Sequence, residues 1–275
     1  MGEGLLVRRG GGGSSDESAY SWTKYTTDKV FIGYVGSDDI DEYPEAGEQD
    51  GYYYELQKKT IEGLTWAEIN TLASSGIAKK LPSVGDRKSI TLTTNEIIYV
   101  KIADFNHDTL SDNTTAPITF IMEDCFKTTY QMNSTNSNSG GWKSAALRTT
   151  LNGTIYNTFP SDLKAVMKTT RKKRYNGGGS VSTLNTVDDK LWLPSEMELF
   201  GSSSYTGGTS EGTLYPIYTD NSSRIKKING SANNYWTSSA LGSGAGLFVF
   251  VNCNGNVSSY GSANNNYGVS AGFCI

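Results

Sequence analysis

His107 is the only histidine of the chain, and imidazole is the side chain best suited to acid–base chemistry near neutral pH. It lies in the stretch Phe105-Asn106-His107-Asp108. A catalytic His–Asp pair needs a nucleophile that the fold brings to it, and sequence neighbours rarely provide that geometry. A metal site would need two or three further ligands, and no second histidine or suitably spaced cysteine is present. We therefore expect His107 to be a loop or core histidine with local hydrogen bonds.

Other candidate chemical motifs are weak. The stretch 104–112 (DFNHDTLSD) offers oxygen ligands but does not match the spacing of a Ca²⁺-binding loop, so a bound Ca²⁺ is only an alternative. The glycine runs at 10–13 and 177–179 lack the GK[ST] ending of a phosphate-binding loop. Glu196 and Glu198 are placed to begin a short helix, where a structural role is sufficient. We predict no catalytic residue, no metal site and no cofactor.

The three cysteines, Cys125, Cys253 and Cys274, also favour no reaction. Their spacing fits no metal site, and an odd number cannot form a closed set of disulfides. Secreted domains often carry such bridges, so we expect the chain to fold in a reducing cytosol, with Cys274 buried.

The charge of the chain argues against nucleic acid as a partner. The formal net charge is −4 and the calculated pI is about 5.2. The one basic run, 168–174 (KTTRKKR), has two interpretations: a phosphate-binding patch, or a solvated loop or helix end. We favour the solvated loop or helix end.

The N-terminal region has the composition of a flexible segment rather than of a targeting signal. Residues 1–18 are rich in Gly and Ser, and the opening apolar run of three residues is followed by Arg8 and Arg9. This pattern predicts neither a signal peptide nor a membrane span. We expect no export signal and no membrane insertion.

Short helices and strands must position whatever site the chain has. The run 29–35 predicts a strand, and the acidic stretch 38–50 predicts a loop. Thr65 and Glu68 predict a capped helix over 65–75 that ends at Gly76. Further strands are expected at 89–93, 97–103, 118–122 and 191–193, and helices at 143–151 and 162–168. Ser195, Glu198 and Gly201 predict a short helix with caps at both ends.

The last part of the chain differs from the rest because it carries no charge. No residue from Ile228 to Ile275 is charged. Within it, 246–253 and 255–260 predict two strands that join at Asn254-Gly255, a pair typical of tight hairpin turns. The whole pattern indicates an α+β protein.

The composition of 241–270 points to an origin in mutagenesis. Only Leu, Gly, Ser, Ala, Phe, Val, Asn, Cys and Tyr occur, and all of them have codons that end in C. Asn codons are rich in adenine, and replacement of those adenines yields many of these residues. Tyr, Ser, Gly and Asn are also the residues that antibody binding loops use. The competing interpretation is an Asn/Ser-rich β segment with a purely structural role.

Seven segments resemble the C-type-lectin-like variable proteins of diversity-generating retroelements in gut bacteria and their phages. They are SVGDRKSITL (83–92), IADFNHDTLSD (102–112), GGWKSAALRTTL (140–151), FPSDLKAVM (159–167), KLWLPSEMELFG (190–201), YWTSSA (235–240) and YGVSAGFCI (267–275). The resemblance covers about residues 65–275. The YWTSSA segment departs from the WWLRSP-like form of relatives, which loosens the alignment just before the candidate site.

The resemblance implies a C-type-lectin-like (formylglycine-generating-enzyme-like) domain with short helices, antiparallel strands and a C-terminal variable hairpin. It implies an N-terminal docking or oligomerisation segment, partly flexible, over 1–80, and a ligand-binding domain over 81–275. The variable region would span about 235–275, with Tyr235-Trp236 and Gly268 to Ile275 as fixed framework. The implied ligand-binding residues are Leu241, Gly242, Ser243, Gly244, Phe250, Asn252, Cys253, Asn254, Ser258, Ser259, Tyr260, Gly261, Asn264, Asn265 and Tyr267. Alternation along the strands would point about half of them inward.

The resemblance also implies partners and a location. The expected ligand is a host cell-surface protein or glycan, and the N-terminal segment would dock on a virion or partner chain. A homotrimer is expected by analogy. The chain would fold in the cytoplasm and act on a phage tail or bacterial cell surface as an adhesin.

Two other functions stay open. One is a carbohydrate-binding module of fixed specificity, although Asp220 is the only carboxylate after Glu211 and this disfavours a Ca²⁺-dependent lectin. The other is an enzyme on the same scaffold, which would need reactive cysteines in a cleft. We expect a protein that is not an enzyme.

Overall fold

The computed structural model describes residues 7–8, 20–26, 31–35, 42–43, 47–49, 52–58, 61–74 and 82–275. For the strands up to residue 58, and at 180–182, 259 and 260, it describes the backbone alone. The chain divides into two compact units, an N-terminal unit (Met1–Asp86) and a C-terminal unit (Arg87–Ile275). The sequence placed this boundary a few residues earlier, at 80/81.

The N-terminal unit contains six described strands and one helix. The elements are β1 (Val7–Arg8), β2 (Tyr20–Thr26), β3 (Phe31–Val35), β4 (Glu42–Tyr43), β5 (Gly47–Gln49), β6 (Tyr52–Lys58) and α1 (Trp66–Ser74). An antiparallel sheet has the order β3-β2-β6-β5, and β1 pairs with β4. The strand predicted over 29–35 is confirmed, whereas the acidic stretch predicted as a loop holds β4 and β5.

Helix α1 begins as its sequence predicts. The Thr65 hydroxyl accepts the Glu68 amide at 3.2 Å, and the Glu68 carboxylate accepts the Thr65 amide at 2.7 Å. This reciprocal cap satisfies two amides that the helix itself cannot pair. Trp66, Ile69 and Leu72 share the buried face. The predicted end at Gly76 lies outside the described residues.

The C-terminal unit has twelve strands. They are β7 (Arg87–Thr91), β8 (Ile97–Phe105), β9 (Thr109–Leu110), β10 (Ile118–Met122), β11 (Thr170–Gly177), β12 (Ser180–Asp189), β13 (Lys226–Ile228), β14 (Ser231–Asn233), β15 (Tyr235–Ala240), β16 (Leu247–Val251), β17 (Val257–Ser262) and β18 (Gly272–Cys274). They form sheets ordered β18-β10-β8-β7, β12-β11-β9 and β15-β16-β17, with a separate β13-β14 pair. All pairings are antiparallel.

Short helices connect these sheets. They are α2 (Gly141–Ser144), α3 (Ala146–Thr150), a π-helical turn (Leu151–Ile155), a 3₁₀ turn (Tyr156–Thr158), α4 (Ser161–Val166), α5 (Glu196–Phe200) and α6 (Asn221–Arg224). The single helix predicted over 143–151 is wrong in its bounds, because Ala145 adopts an extended backbone that separates α2 from α3. Helix α5 has the predicted Ser195 cap and ends at Gly201, whose φ is +67°.

The segment 268–275 lies in the centre of the C-terminal unit, and all of its residues are buried. It bridges to Tyr235 at Gly268 and to Trp192 at Gly272, while β18 pairs with β10. A Cβ atom on Gly272 would stand 2.4 Å from the Trp192 ring, so only glycine lets this indole pack against the strand. The predicted strand at 191–193 is buried but pairs only through this one bridge.

The observed architecture is a mixed α/β protein of mostly antiparallel sheets and few short helices, in agreement with the α+β prediction. No helix within the described residues is both long and apolar enough to cross a membrane.

Candidate functional site

The predicted hairpin forms from β16 and β17, which are joined by a turn at 252–256. Gly255 has a φ of +77°, and its amide donates to the Asn252 carbonyl at 2.9 Å. The Asn252 side chain accepts the amides of Asn254 and Asn256 at 2.9 and 3.1 Å. A Cβ atom on Gly255 would lie 1.9 Å from the Asn221 carbonyl, so this turn requires glycine. The sequence signal at Asn254-Gly255 is confirmed.

An aromatic cluster covers one face of this hairpin. The Tyr267 ring lies 4.8 Å from the Phe250 ring and 4.6 Å from the Trp236 ring. The Trp236 indole donates to the Tyr130 carbonyl at 2.7 Å, which fixes the cluster to the preceding segment. Phe250 is only 7% exposed as a result, and Tyr267 is half-buried above it.

The structure buries three of the predicted ligand-binding residues. Leu241 and Phe250 are each 7% exposed, and Gly261 faces Trp236 so closely that a Cβ atom would lie 2.6 Å from the indole. These three residues belong to the packing beneath the surface: Phe250 lies in β16, which is buried from 248 to 251, Leu241 directly follows the buried strand β15, and Gly261 packs against Trp236. The side chains of Ser259 and Tyr260 lie outside the described residues.

The other predicted residues reach solvent and form what we call the hairpin surface. Ser243, Cys253, Asn254 and Asn264 are exposed, while Gly242, Gly244, Asn252, Ser258, Asn265 and Tyr267 are half-buried. They fall into two groups at opposite ends of the hairpin. Asn252, Cys253 and Asn254 lie at the turn, and the loops before β16 and after β17 lie together at the other end, joined by an Ala263–Gly246 hydrogen bond. About 17 Å of strand separates the ends.

The buried Asn138 fixes the loop before β16, and sequence reasoning missed it. Its Nδ2 donates to the carbonyl oxygens of Leu241, Gly244 and Leu247 at 3.2, 2.7 and 2.7 Å. Its Oδ1 accepts the Gly178 amide at 2.7 Å. The local sequence held no signal for this role, because the contacts join residues about a hundred positions apart.

The loop after β17 is fixed in the same manner. Gln131 Nε2 donates to the Asn264 carbonyl at 2.7 Å, and the main chains of Tyr130 and Tyr267 exchange two hydrogen bonds of 2.9 and 3.1 Å. The Asn133 amide donates to the Ala263 carbonyl at 2.9 Å. Each of these contacts ends on a main-chain atom of the hairpin segment, so none of them specifies its side chains.

A second set of side chains that could take part in chemistry is buried in the C-terminal unit. We call it the charged core: Asp108, Lys172, Arg174, Glu198 and Glu211. The interpretation of 168–174 as a solvated loop or helix end is wrong. The segment enters β11, whose alternation buries Lys172 and Arg174 at 3% and 1% exposure and leaves Lys173 exposed. Neither residue is available as a surface phosphate patch.

Lys172 has two carboxylate partners and two aromatic ones. Its ammonium contacts Asp108 Oδ1, and it lies 2.9 Å from Glu198 Oε1 and 2.7 Å from the Tyr215 hydroxyl. It also lies 3.6 Å from the centre of the Trp192 ring, within the range of a cation–π contact. Burial by itself would raise the pKa of Asp108, but Lys172 and the Thr119 hydroxyl lower it below its usual range.

Arg174 links the same cluster to β15. It donates to Glu198 Oε2 at 2.7 Å, to the Glu211 carbonyl at 2.9 Å and to the Ser238 hydroxyl. The Glu211 carboxylate accepts the Tyr175 amide at 2.7 Å and the Ser239 hydroxyl. Burial raises the pKa of Glu211 to about 7 although Arg174 opposes the shift. The charged core thus carries a carboxyl group that titrates near neutrality.

A family model described as a domain of unknown function, DUF6273, matches residues 118–275. This match spans more than half of the chain. The chain belongs to the DUF6273 family. No curated protein and no solved structure gives a significant match. The DUF6273 region holds the whole hairpin surface and every member of the charged core except Asp108.

His107 of this DUF6273 protein is satisfied locally, which confirms the expectation from its sequence. Its Nδ1 lies 2.7 Å from Asp104 Oδ2, and its Nε2 lies 3.1 Å from the Thr213 hydroxyl. The ring also packs 4.3 Å from that of Tyr215. His107 and Thr213 line a cleft of about 510 Å³ whose base is the charged core.

The cysteines of the chain are free. Burial raises the pKa of both Cys125 and Cys274 to about 12, so these thiols stay protonated at neutral pH. The prediction that Cys274 is buried is confirmed, while Cys253 is exposed in the hairpin turn. Within the residues that the structure describes, no three Asp, Glu, His or Cys side chains gather in a way that suits a metal ion.

Proposed function

We propose that this protein binds a ligand without a chemical step, and that its hairpin surface recognises a protein or glycan on a host cell. The supporting observation is the way in which the hairpin segment is held. Asn138, Gln131, Asn133 and Tyr130 contact its main chain, so exposed side chains between 241 and 267 can change while these contacts hold the path of the loops. A surface under diversification requires this property.

The chemistry of the hairpin surface supports the same proposal. The exposed side chains are neutral, and they combine amide and hydroxyl groups with the half-buried ring of Tyr267. Such surfaces obtain hydrogen bonds from Asn and Ser and contact area from Tyr. The proposal includes the C-type-lectin-like fold of the family that the sequence resembles. It also includes diversification of the segment by adenine-directed mutagenesis.

In this proposal the protein acts on a phage tail or bacterial surface as an adhesin. The N-terminal unit docks on the virion or a partner chain, and a homotrimer presents several hairpin surfaces together. Linked copies raise the effective concentration at a cell surface, so a modest affinity at each site is sufficient.

The first test is the sequence of this locus across a population. We expect amino-acid changes to concentrate at codons of the hairpin surface and to match adenines of a nearby template copy. Asn138 and 268–275 should not change. Variation of 241–267 that is no greater than that of 83–200 would contradict the proposal and favour a lectin of fixed specificity.

A binding experiment tests the surface directly. Labelled protein is added to a panel of bacterial cells, and bound label is measured by flow cytometry. Asn254→Lys and Asn264→Lys place a charge at each end of the hairpin surface, and we expect at least one to reduce binding tenfold or more. Thr94→Lys, in the exposed turn between β7 and β8, is the matched control and should bind like the wild type. Equal binding by all three variants would rule out the hairpin surface.

One observation favours an enzyme as the second candidate. Asp104, His107 and Thr213 are aligned so that the imidazole could take a proton from the hydroxyl at the edge of the cleft. Hydrolysis of an activated ester by the wild type, abolished in His107→Ala and retained in Asn254→Lys, would support this candidate. No hydrolysis above that of the variant would exclude ester cleavage at this site.

A further inference from the structure

Lys172 and Asp108 form a buried ion pair within the charged core. The Lys172 ammonium contacts Asp108 Oδ1, and the two side chains are only 3% and 6% exposed. Lys172 is on β11, and Asp108 directly precedes β9, which pairs with β11. An amine and a carboxyl group are therefore held together, away from bulk water, on neighbouring elements.

We propose that these two side chains condense to an isopeptide bond. The Lys172 nitrogen attacks Asp108 Cγ, a carbon–nitrogen bond forms, and one carboxyl oxygen leaves as water. The ammonium contributes two protons to that water and keeps one on the new amide. The ionised pair contains all the atoms of the product, so the reaction consumes no oxidant, metal or other reactant. The product ties β11 covalently to the segment before β9.

Two neighbours can remove the protons from Lys172. Glu198 Oε1 lies 2.9 Å from the nitrogen, while Glu198 Oε2 accepts hydrogen bonds from Arg174 at 2.7 Å and from the Ser195 amide at 2.8 Å. The Tyr215 hydroxyl lies 2.7 Å from Lys172 and 2.9 Å from Asp108 Oδ2. Glu198 therefore serves as the base that takes the first proton and frees the nitrogen for attack, and Tyr215 passes the second proton from the nitrogen to the departing oxygen. Glu198 then returns its proton to the same oxygen, which leaves as water.

Two hydroxyl donors activate the carboxyl group that is attacked. Thr119 donates to Asp108 Oδ2 at 2.8 Å, and Tyr215 contacts both carboxyl oxygens, at 3.1 and 2.9 Å. Donors placed in this way stabilise the negative charge that gathers on oxygen when the nitrogen adds to the carbon. All of these groups are buried, so their hydrogen bonds face little competition from water.

Proximity and burial both drive the reaction toward the amide. Groups fixed in contact react as though at effective concentrations of about 10⁵–10⁸ M, which offsets the unfavourable condensation of free amines and acids in water. The amide also replaces two buried charges, whose desolvation costs several kcal/mol each, by one neutral group. Asp108 and Lys172 line the base of the cleft, which gives the released water a way out.

The test is the intact mass of the purified full-length protein under denaturing, reducing conditions. We expect a mass below that of the sequence by one water molecule. After trypsin, peptide 102–127 should be found joined to the segment that contains Lys172, with cleavage after Lys172 blocked. An intact mass equal to that of the sequence, together with cleavage after Lys172, would overturn the proposal.

Matched variants locate the bond. Lys172→Arg cannot form it and should have the full mass, whereas Lys173→Arg, on the exposed face of the same strand, should keep the deficit. Asp50-Gly51 could also lose one water by forming a succinimide, but such a loss would persist in Lys172→Arg. If Lys172→Arg keeps the deficit, the proposal is wrong. Because the joined peptide is sought in the wild type, the test does not depend on the folding of the variant.

Discussion

The charged core and the hairpin surface are built by opposite rules within one unit. In the charged core, Arg174 and Glu198 contact one another through side chains, so the identity of each is required by the others. In the hairpin surface, Asn138 and its neighbours contact main-chain carbonyls, so these contacts do not depend on the side chains of the loop, although the Asn252 side chain does hold the turn. The difference shows how one domain can require specific residues in one region and tolerate substitutions in another.

The largest expected effect is in the charged core. Arg174→Met leaves Glu198 and Glu211 buried without this counter-charge, and we expect the free energy of unfolding to fall by about 3–5 kcal/mol. Arg171, on the same strand, pairs with the exposed Asp188, so Arg171→Met should reduce stability much less than Arg174→Met. Urea unfolding of both variants measures the contrast. Equal losses would mean that the burial pattern of β11 is wrong.

Asn138→Ala should have the next largest effect. It removes the donor from three loop carbonyls and the acceptor of the Gly178 amide, so we expect a loss of about 3 kcal/mol. In hydrogen-exchange measurements, Asn138→Ala should exchange faster than the wild type in the loop at 241–247, with a smaller change in β11. Asn185, whose side chain donates a hydrogen bond to Asn176, supplies the control, since Asn185→Ala should change stability by about 0.5 kcal/mol. Unchanged exchange in the loop would show that Asn138 does not hold the loop in position.

Glu211 should make stability depend on pH. Burial raises its pKa from 4.5 to about 7, so the folded state holds the proton more tightly than the unfolded state does. This contribution to stability is complete below pH 4.5 and is lost as the pH rises through 7. We expect the free energy of unfolding to fall by about 3 kcal/mol between pH 4.5 and pH 8.

Glu211→Gln should remove this decrease, because the amide keeps a neutral group between Tyr175 and Ser239. Unfolding midpoints of both proteins at a series of pH values provide the measurement. Burial lowers the pKa of Lys226 to about 8, so its titration affects mainly the alkaline end of the series. The same slope in both proteins would show that another group is responsible.

Gly261→Ala tests a position of the hairpin that has no room for a larger residue. The added Cβ would meet the Trp236 ring at 2.6 Å and the Phe248 carbonyl at 2.7 Å, so we expect a loss of about 1–3 kcal/mol. Thermal or urea unfolding would reveal it. An unchanged free energy of unfolding would mean that Gly261 can vary as freely as the exposed positions of the hairpin.

The smallest effects should come from the hairpin surface itself. Asn254→Tyr and Asn264→Tyr change exposed side chains whose main-chain contacts stay in place, so stability should change by about 0.5 kcal/mol or less. The double variant should be additive, because the two positions lie at opposite ends of the hairpin. A loss above about 2 kcal/mol from either change would contradict the contrast with the charged core.

Local signals in the sequence predicted local structure well. The Ser195/Glu198 cap, the end of α5 at Gly201 and the turn at Asn254-Gly255 each depend on residues within four positions of one another. The sequence also predicted that half of the strand residues in the hairpin turn inward, but not that Phe250 and Gly261 would be among them. That outcome depends on Trp236 and Tyr267, which pack from other segments.

The charged core could not be predicted for the same reason. Every second residue of β11 from 170 to 174 is buried, yet charged residues occupy both faces from 171 to 174, so the alternation does not appear as a hydrophobic pattern. The partners of Lys172 are distant in sequence at Asp108, Glu198 and Tyr215. Only the pairing of β11 with β9 and the packing of α5 and the loop at Tyr215 against them bring these residues together.

Strand β18 has a consequence for genetic errors in the hairpin codons. It follows the hairpin in the chain, and its main chain completes contacts to Trp192 and Ile118 in the middle of the domain. A frameshift or premature stop anywhere in 241–267 therefore also removes this central strand. The product lacks its core and is exposed to proteolysis, whereas a codon replaced in frame leaves the strand intact. The order of segments along the gene thus makes formation of the central strand depend on an intact reading frame through 241–267.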